Sequence, residues 1–203
     1  MPVTKTLHEQ LRAVAGRREV LTSAEMKAAG ISGQSITRMV RAGDLERVQR
    51  GLYRLPDGPI SEQHDLLSVM KVAPKAVIVL ISALRFHEIG TQVAREVWIQ
   101  MPIKAHVPRT SWPPLRIVRT SIPALLTAGV EIHEISGEDI PITCPERTVA
   151  DCFKHRNQVG LDTCVEALRE VIRSRRGSVS EIQRYAQLNR VDRVMRPFLE
   201  GMV

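Results

Sequence analysis

Two helices are predicted in the first 30 residues from the spacing of apolar positions. In TLHEQLRAVA, residues 6–15, apolar residues recur every three or four positions, as they do on one face of a helix. A second, shorter helix is expected after Thr22, because Thr22 and Glu25 have the spacing of a capping box. Gly30 then supplies a stop signal for this helix.

A third helix and a hairpin follow. In SGQSITRMVRAG, the apolar residues Ile36, Met39 and Val40 share one face, and Gly43 ends the helix. The next stretch, LERVQRGLYRLP, predicts two short strands on either side of a turn at Gly51. Three helices followed by a hairpin is the order of elements in a winged helix-turn-helix domain.

A turn-rich stretch, PDGPIS, marks the predicted domain boundary. We expect the winged helix over residues 1–58 and a second domain over residues 59–203. The second domain starts with a helical pattern, EQHDLLSVMKVAP, which precedes a buried strand AVIVLI and a short helix SALRFHEIG capped by Ser82. Strand patterns follow in EVWIQMP, LRIVRT, VEIHEI and IPIT.

Four helical segments close the chain, starting near Pro145, Leu161, Ser178 and Val191. The predicted fold class is therefore α+β. An N-terminal winged helix-turn-helix is followed by a mixed α/β domain with a helical tail.

The charge of the chain favours an anionic partner. The formal net charge is +7 and the sequence pI is about 9.8, which fits nucleic acid or a membrane surface. Aromatic residues make up only 3% of the chain, which argues against a stacking platform for single strands. The N-terminus has no apolar core of signal-peptide length, and no apolar run is long enough to span a bilayer. We expect a cytoplasmic protein.

The winged-helix prediction assigns a role to the polar residues around the third helix and hairpin. Such a domain places its recognition helix in the major groove of double-stranded DNA, while the hairpin, or wing, contacts the adjacent backbone. Arg38 is the first choice for a base contact, because a guanidinium bonds guanine through two atoms. The candidate base-contacting residues are Gln34, Ser35, Thr37, Arg38 and Arg41, and the candidate phosphate-contacting wing residues are Arg47, Arg50 and Arg54. The alternatives are that these arginines only solvate a surface, or that the domain binds protein.

Three stretches of the chain resemble the AbiEi family of antitoxins and transcriptional regulators of bacterial type IV toxin-antitoxin systems. They are LTSAEMKAAGISGQSITRMVRAGDLERVQRGLYRLPDG, SALRFHEIG and PERTVADCF. The hairpin carries the pattern Arg-Gly-aromatic with a Leu-Pro exit, in Arg50, Gly51, Tyr53, Leu55 and Pro56. Ser-Ala-Leu at residues 82–84 and Pro-Glu-Arg-Thr at residues 145–148 add to the likeness.

The resemblance implies a repressor that binds inverted repeats in the promoter of its own operon. It also implies an antitoxin, active in phage defence, that counters a toxin similar to nucleotidyltransferases. Direct contact with that toxin is not implied, because several such pairs are thought to act without a stable complex. The resemblance supplies no catalytic residue.

The stretch TCPERTVADCF also has an interpretation independent of the family. Thr143 and Glu146 have the spacing of a capping box, and Pro145 fits the first turn of a helix. Arg147 and Asp151 are four residues apart and are expected to pair on one face of that helix. A structural role is the default, and we retain Arg147 and Asp151 as candidates for an antitoxin surface.

The cysteines do not predict a metal site. Cys144, Cys152 and Cys164 are odd in number and contain no CxxC pair, so buried, reduced thiols are expected. Cys152 and His155 form a C-x2-H pair, but the second pair that structural zinc requires is missing.

Enzymatic sites are not predicted either. No GxSxG motif occurs, and His87 is expected to be a hydrogen-bonded core histidine. A nuclease would need clustered carboxylates, and none of those on the predicted strands forms an acidic-x-Lys pair. We therefore expect a regulator without catalytic residues, metal or cofactor. A winged-helix-fused nuclease and a ligand-responsive regulator, whose second domain senses a small molecule, are the alternatives.

Overall fold

The structure, a computed structural model, describes residues 6–202, and these form two compact units. The first unit contains the described residues up to Pro74 together with two later segments, Pro108–Pro113 and Glu134–Ile140. The second unit contains the remaining described residues, beginning at Lys75. The first unit therefore includes more of the chain than the 58 residues of the predicted N-terminal domain.

Four helices and a small sheet make up the first unit. The second helix begins at the predicted capping box: the Thr22 side chain accepts a hydrogen bond from the backbone N–H of Glu25, whose carboxylate in turn accepts from the Thr22 N–H. Gly43, in the left-handed conformation, ends the third helix. The elements are α1 (Leu7–Ala15), β1 (Leu21–Thr22), α2 (Ser23–Ala28), α3 (Gly33–Ala42), β2 (Glu46–Gln49), β3 (Leu52–Arg54) and α4 (His64–Val72).

The sheet of the first unit has the strand order β1-β3-β2, and all pairs are antiparallel. The register of β2 and β3 shifts between Arg47 and Gln49, so Val48 is an extra residue on β2. Apolar side chains from the helices and strands close over one core, because each helix has an apolar stripe and each strand a buried face. The core residues are Leu11, Ala15, Leu21, Met26, Ile31, Ile36, Met39 and Leu45.

The second unit combines a mixed sheet with helices. Its sheet has the order β6-β5-β4-β8-β7, in which β4 pairs antiparallel to β5 and parallel to β8, while β5 and β6 are parallel. The strands are β4 (Val77–Ile78), β5 (Val97–Pro102), β6 (Leu115–Thr120), β7 (Val130–Ile135) and β8 (Glu138–Thr143). The segment Glu134–Ile140, which ends β7 and begins β8, belongs to the first unit. The helices are α5 (Leu80–Phe86), a 3-10 turn (Pro123–Leu126), α6 (Pro145–Lys154), α7 (Arg156–Val159), α8 (Leu161–Arg173), α9 (Val179–Leu188) and α10 (Asp192–Glu200). The chain is thus of the α+β class.

The apolar stretch AVIVLI forms less strand than predicted. Only Val77 and Ile78 belong to β4, and α5 already begins at Leu80. Ser82 therefore lies inside the helix and is not its cap; its hydroxyl accepts a hydrogen bond from the Trp98 N–H at 2.9 Å. A short, uniformly apolar run fits a buried strand and a buried helix equally well, so its pattern did not separate the two.

The start of α6 differs from the prediction by one residue. Cys144 is the N-cap, Pro145 is the first helical residue as expected, and Thr143 ends β8. The predicted capping box of Thr143 and Glu146 is therefore wrong. The Thr143 hydroxyl lies instead within 2.8 Å of the Thr148 hydroxyl, where it links the strand to the first turn of the helix.

The remaining elements follow the sequence pattern closely. All four strands predicted between residues 96 and 143 are present, and the four closing helices begin within a residue of the expected positions. The short helix α7 was not predicted. In the part of the chain that the structure describes, no helix is long and apolar enough to cross a membrane.

Candidate nucleic-acid interface

The exposed face of α3 is formed by side chains at helical spacing. Gln34, Thr37, Arg38 and Arg41 are exposed at positions i, i+3, i+4 and i+7, which lie along one face of a helix. Ile36 and Met39 occupy the opposite face and are buried in the core, which fixes the rotation of the helix. The helix contains no acidic residue, so no carboxylate of its own competes for its arginines.

The polar side chains of α3 differ in whether they already form hydrogen bonds within the protein. The Ser35 hydroxyl lies 2.9 Å from the hydroxyl of Ser32, the N-cap, and the Thr37 hydroxyl donates to the carbonyl of Gly33 at 3.0 Å. The side chains of Arg38 and Arg41 make no hydrogen bond or ion pair with any residue of the described range 6–202. Their guanidinium groups are therefore available to an external acceptor.

The turn of the wing is held by the start of α2. Gly51 has φ +83°, a conformation that favours glycine, and its carbonyl accepts a hydrogen bond from the Ser23 N–H at 3.0 Å. Arg50 precedes this glycine at the turn between β2 and β3. Its side chain is exposed and has no partner among the residues that the structure describes. The turn thus presents one uncompensated positive charge.

The two other arginines of the wing are engaged locally. The Nε of Arg47 donates to the carbonyl of Gln49 at 3.4 Å. The guanidinium of Arg54 binds the carboxylate of Glu46 through Nε at 2.6 Å and through Nη2 at 2.5 Å. Because Glu46 compensates its charge, Arg54 is the weakest of the three candidates for a phosphate contact.

The register shift in the wing brings Arg54 and Glu46 together. Gln49 lies opposite Leu52, and a regular hairpin continued from this pair would place Arg47 opposite Arg54. The extra residue moves Arg47 opposite Tyr53 and Glu46 opposite Arg54. Two like charges are thereby replaced by an ion pair.

A network of charges fixes α2 within the first unit. Lys71 is nearly buried, and its ammonium donates to Glu25 at 2.6 Å and to Glu138 at 2.7 Å. Glu138 also accepts from Arg18 at 2.8 Å. Burial opposes ionisation of Glu25, but the bonds from Lys71 and Thr22 outweigh it and hold the pKa of this carboxyl below its usual value.

A fully buried carboxylate anchors the end of the segment that follows the β2–β3 hairpin. The side chain of Glu19 is fully buried and accepts a hydrogen bond from the Ser61 N–H at 2.9 Å. Its other oxygen lies 2.5 Å from Nδ1 of His64, the first residue of α4. Sequence reasoning missed this contact, because the two partners are more than 40 positions apart and no local pattern links them.

Arg147 and Asp151 do form the predicted same-face pair, at 2.7 Å, but they do not lie on a surface. Arg147 is 0% exposed and Asp151 only 4%. The expectation that they contribute to an antitoxin surface is therefore corrected: α6 is buried over most of its length, and both side chains point into the second unit. Burial raises the pKa of Asp151, against the attraction of Arg147. The further partners of this pair are the carbonyls of Ala128 and Leu125 and the side chains of Gln100 and Asn189.

The three thiols occupy interior positions, and His87 is half-buried. All three cysteines are free and buried, and burial raises the pKa of Cys144 and that of Cys164 to about 11. The Nε2–H of His87 donates to the carbonyl of Thr143 at 2.7 Å, as expected for a hydrogen-bonded histidine, and burial lowers the pKa of His87. Within residues 6–202, no group of three or more metal-ligating side chains is assembled.

Comparisons with known proteins bear on both the fold and the N-terminal region. The fold is similar to that of the RV2827C protein from Mycobacterium tuberculosis, with a TM-score of 0.57 and 16% identity over 99% of this chain and 83% of that protein. No curated protein matches the sequence significantly. Residues 9–56, which contain α2, α3 and the wing, match the model of the family of transcriptional regulators called AbiEi antitoxins. The predicted resemblance to this family is thus confirmed for residues 9–56.

Proposed function

We propose that the protein is a sequence-specific DNA-binding repressor and the antitoxin of a bacterial type IV toxin-antitoxin system. One observation carries the DNA-binding half of the proposal. The stretch that matches the regulator family also presents Arg38, Arg41 and Arg50, all exposed and without local partners. Arginines left uncompensated on a helix face and at an adjoining hairpin turn suit the major groove and its flanking phosphates.

In this proposal α2 and α3 form a helix-turn-helix, and the β2–β3 hairpin is its wing. The helix α3 enters the major groove with Gln34, Ser35, Thr37, Arg38 and Arg41 as the residues nearest the bases. Arg38 lies in the middle of the exposed face and is placed for a bidentate bond to guanine. Arg50, and more weakly Arg47 and Arg54, contact phosphate.

The proposed target is an operator with inverted repeats in the promoter of the protein's own operon. An inverted repeat offers two equivalent half-sites, so two copies of the protein bind one operator. We assign DNA binding to the winged helix of residues 1–58, and antitoxin action against a nucleotidyltransferase-like toxin to the domain of residues 59–203. The protein acts as a regulator and carries no catalytic site in this proposal.

DNA binding is tested by titrating a duplex from the region upstream of the coding sequence, with a shuffled duplex of equal length as competitor. The full-length protein is expected to prefer the upstream duplex, and the double variant Arg38→Ala/Arg50→Ala to lose that preference and most of its affinity. Arg95→Ala is the matched control, because Arg95 is exposed in the second unit. Equal binding by the double variant and the control contradicts the proposed docking.

The antitoxin half needs a separate readout. The proposal predicts a nucleotidyltransferase-like gene adjacent to this one, and the product of that gene is the toxin to be co-expressed with the full-length protein in a growth assay. The double variant Arg38→Ala/Arg50→Ala is expected to protect cells from the toxin when expressed from a foreign promoter, because protection does not require operator binding. Failure of the wild-type protein to protect would exclude the antitoxin role while leaving DNA binding untouched.

A further inference from the structure

A loop from later in the chain is bonded to the wing. Gln49 ends β2, is 8% exposed, and carries its carbonyl Oε1 into the loop Pro108–Pro113, which belongs to the same compact unit. This oxygen lies 3.0 Å from the Thr110 hydroxyl, 3.0 Å from the Ser111 N–H and 3.2 Å from the Ser111 hydroxyl. Because Gln49 directly precedes Arg50, these bonds hold the loop beside the turn of the wing.

The loop also has internal bonds that shape it. The Thr110 hydroxyl lies 2.8 Å from the carbonyl of Trp112, and it accepts from the Trp112 N–H at 3.2 Å. Its single proton serves either Trp112 or Gln49 at one time, but both contacts keep Thr110 in the same place. The loop is therefore a defined surface element and not a loose connection.

The side chains that this loop exposes are unusual for a surface without a partner. Trp112 is 59% exposed, although the other tryptophan, Trp98, is 95% buried in the second unit. Arg109 is exposed and makes no hydrogen bond or ion pair with any residue between 6 and 202. A large exposed aromatic next to an unpaired arginine is a combination found where proteins bind a partner.

The positive charge of the loop and of the neighbouring turn favours a negatively charged polymer as the binding partner. On both sides of the loop, from Val97 to Val130, the sequence contains no Asp or Glu. Arg109 therefore has no acidic neighbour along the chain, and Arg50 stands next to the residue that anchors the loop. Arg50 and Arg109, two exposed arginines of the first unit without a local partner, complement a phosphate backbone.

We propose that the loop Pro108–Pro113 is a second DNA-contacting element beside the wing. Arg109 contacts backbone phosphate, Trp112 packs against the sugar edge of the adjacent groove, and Gln49 is the positioning residue that joins loop and wing. This inference rests on the proposed DNA-binding function. It extends the interface from the contiguous residues 34–54 to a segment more than 50 positions away.

The first test measures the affinity of full-length variants for the upstream duplex at several salt concentrations. Arg109→Ala is expected to weaken binding severalfold and to lower the slope of log affinity against log salt by about 0.9, the loss of one phosphate contact. Trp112→Ala is expected to weaken binding with little change in slope, because it removes no charge. Arg95→Ala again serves as the control for loss of one exposed positive charge.

The second test follows Trp112 directly. The chain has two tryptophans, and Trp112 is the exposed one, so acrylamide quenching of the fluorescence reports mainly on this residue. Addition of the upstream duplex is expected to protect it from acrylamide. The Trp112→Phe variant, which keeps only buried Trp98, is expected to show weak quenching with and without DNA.

The third test addresses Gln49. Gln49→Ala removes all three bonds to the loop but leaves the charges of the wing and loop in place. This variant is expected to bind DNA more weakly, and its Trp112 is expected to remain open to acrylamide quenching when DNA is bound. If Gln49 only stabilised the hairpin of the free protein, Trp112 would still be protected in the complex. Circular dichroism and thermal unfolding of each variant verify that it is folded.

The outcomes separate this inference from the function on which it rests. If the wild-type protein does not prefer the upstream duplex, the proposed function fails. A different set of results would show that only the loop assignment is wrong. In that case the wild-type protein prefers the upstream duplex and Arg50→Ala weakens its binding, but Arg109→Ala and Trp112→Ala bind normally. Acrylamide would then also quench Trp112 equally with and without DNA. Normal DNA binding combined with loss of protection against the toxin would make the loop a protein-binding surface, which also overturns the inference.

Discussion

Arg147 and Asp151 form an ion pair of 2.7 Å inside the second unit, where neither side chain is more than 5% exposed. Besides Asp151, the guanidinium binds the carbonyls of Ala128 and Leu125, while Asp151 accepts a second bond from Asn189 at 2.7 Å. The pair thus joins α6 to the loop before β7, to the 3-10 turn and to the end of α9. The Pro-Glu-Arg-Thr signature of the chain is explained by this structural role.

Loss of Arg147 is expected to destabilise the protein strongly. Arg147→Ala leaves the Asp151 carboxylate buried without its counter-charge, which costs about 3–5 kcal/mol in the free energy of unfolding. The double variant Arg147→Met/Asp151→Leu should recover part of this loss, because it removes both charges at similar volume. Urea unfolding measures both, with Arg173→Ala on the exposed face of α8 as control. Equal stability of Arg147→Ala and Arg173→Ala would refute the role assigned to the pair.

Arg38 is expected to determine sequence preference. Arg38→Ala should cost about 1–3 kcal/mol in operator binding and relax the preference at one base pair. Arg38→Lys is the matched variant, because lysine keeps the positive charge but cannot bond a guanine through two nitrogen atoms. It should retain the salt dependence of binding and lose the preference at that base pair. Binding is measured against operators substituted one base pair at a time. Unchanged preference in both variants would place the base contact elsewhere on α3.

The wing arginines are expected to contribute unequally. Arg50→Ala should lower the slope of log affinity against log salt by about 0.9, whereas Arg54→Ala should lower it less because Glu46 already compensates Arg54. Glu46→Gln releases Arg54 and should tighten DNA binding. The slopes come from titrations of one duplex at several salt concentrations. A looser complex of Glu46→Gln would contradict this assignment of the Glu46–Arg54 pair.

The Lys71–Glu25 contact should give the first unit an acid-sensitive component of stability. Glu25 has a pKa in the folded state below its ordinary value of 4.5, so its ionised form is favoured by folding. The resulting stability is present above pH 4.5 and is lost as the pH falls through the lowered pKa. Glu25→Gln should therefore narrow the difference in unfolding free energy between pH 6 and acid. If the free energy of unfolding of Glu25→Gln depends on pH as that of the wild-type protein does, the Lys71–Glu25 contact makes no contribution to stability.

The thiols are expected to be unreactive in the folded protein. Burial raises the pKa of Cys144 and that of Cys164 to about 11, so both are protonated near pH 8, and Cys152 is fully buried with a raised pKa. A disulfide reagent should react slowly with the native protein and titrate three thiols in denaturant. One rapidly reacting thiol under native conditions would contradict the burial of the cysteines.

Much of the fold was predictable because local signals are strong in this chain. The capping box of Thr22 and Glu25, the stop at Gly43 and the turn at Gly51 each act within a few residues, and the structure contains all three. The split of AVIVLI between a strand and α5 was not predictable, because an apolar run has the same pattern in both. The helical period alone also placed Arg38 on an exposed face.

Interactions between distant segments account for what the sequence did not show. The burial of Arg147 depends on carbonyls of the preceding loop and 3-10 turn, which no pattern in PERTVADCF indicates. The pairing of Arg54 with Glu46 depends on the single extra residue in β2, since a regular hairpin predicts Arg47 opposite Arg54. The exposure of a residue could be inferred from the periodicity of its helix or strand. Its bonding partner could be identified only from the pairing register of the two strands.

The discontinuity of the first unit limits how parts of this chain can be exchanged with those of other proteins. A chimera that carries only the first 58 residues would leave Glu19 buried without Ser61 and His64. It would also leave Gln49 without Thr110 and Ser111. The proposed DNA-contacting part is therefore not expected to fold when it is transferred alone. Under the proposed function, we expect new operator specificity from substitutions on the outer face of α3, and not from exchange of the N-terminal segment.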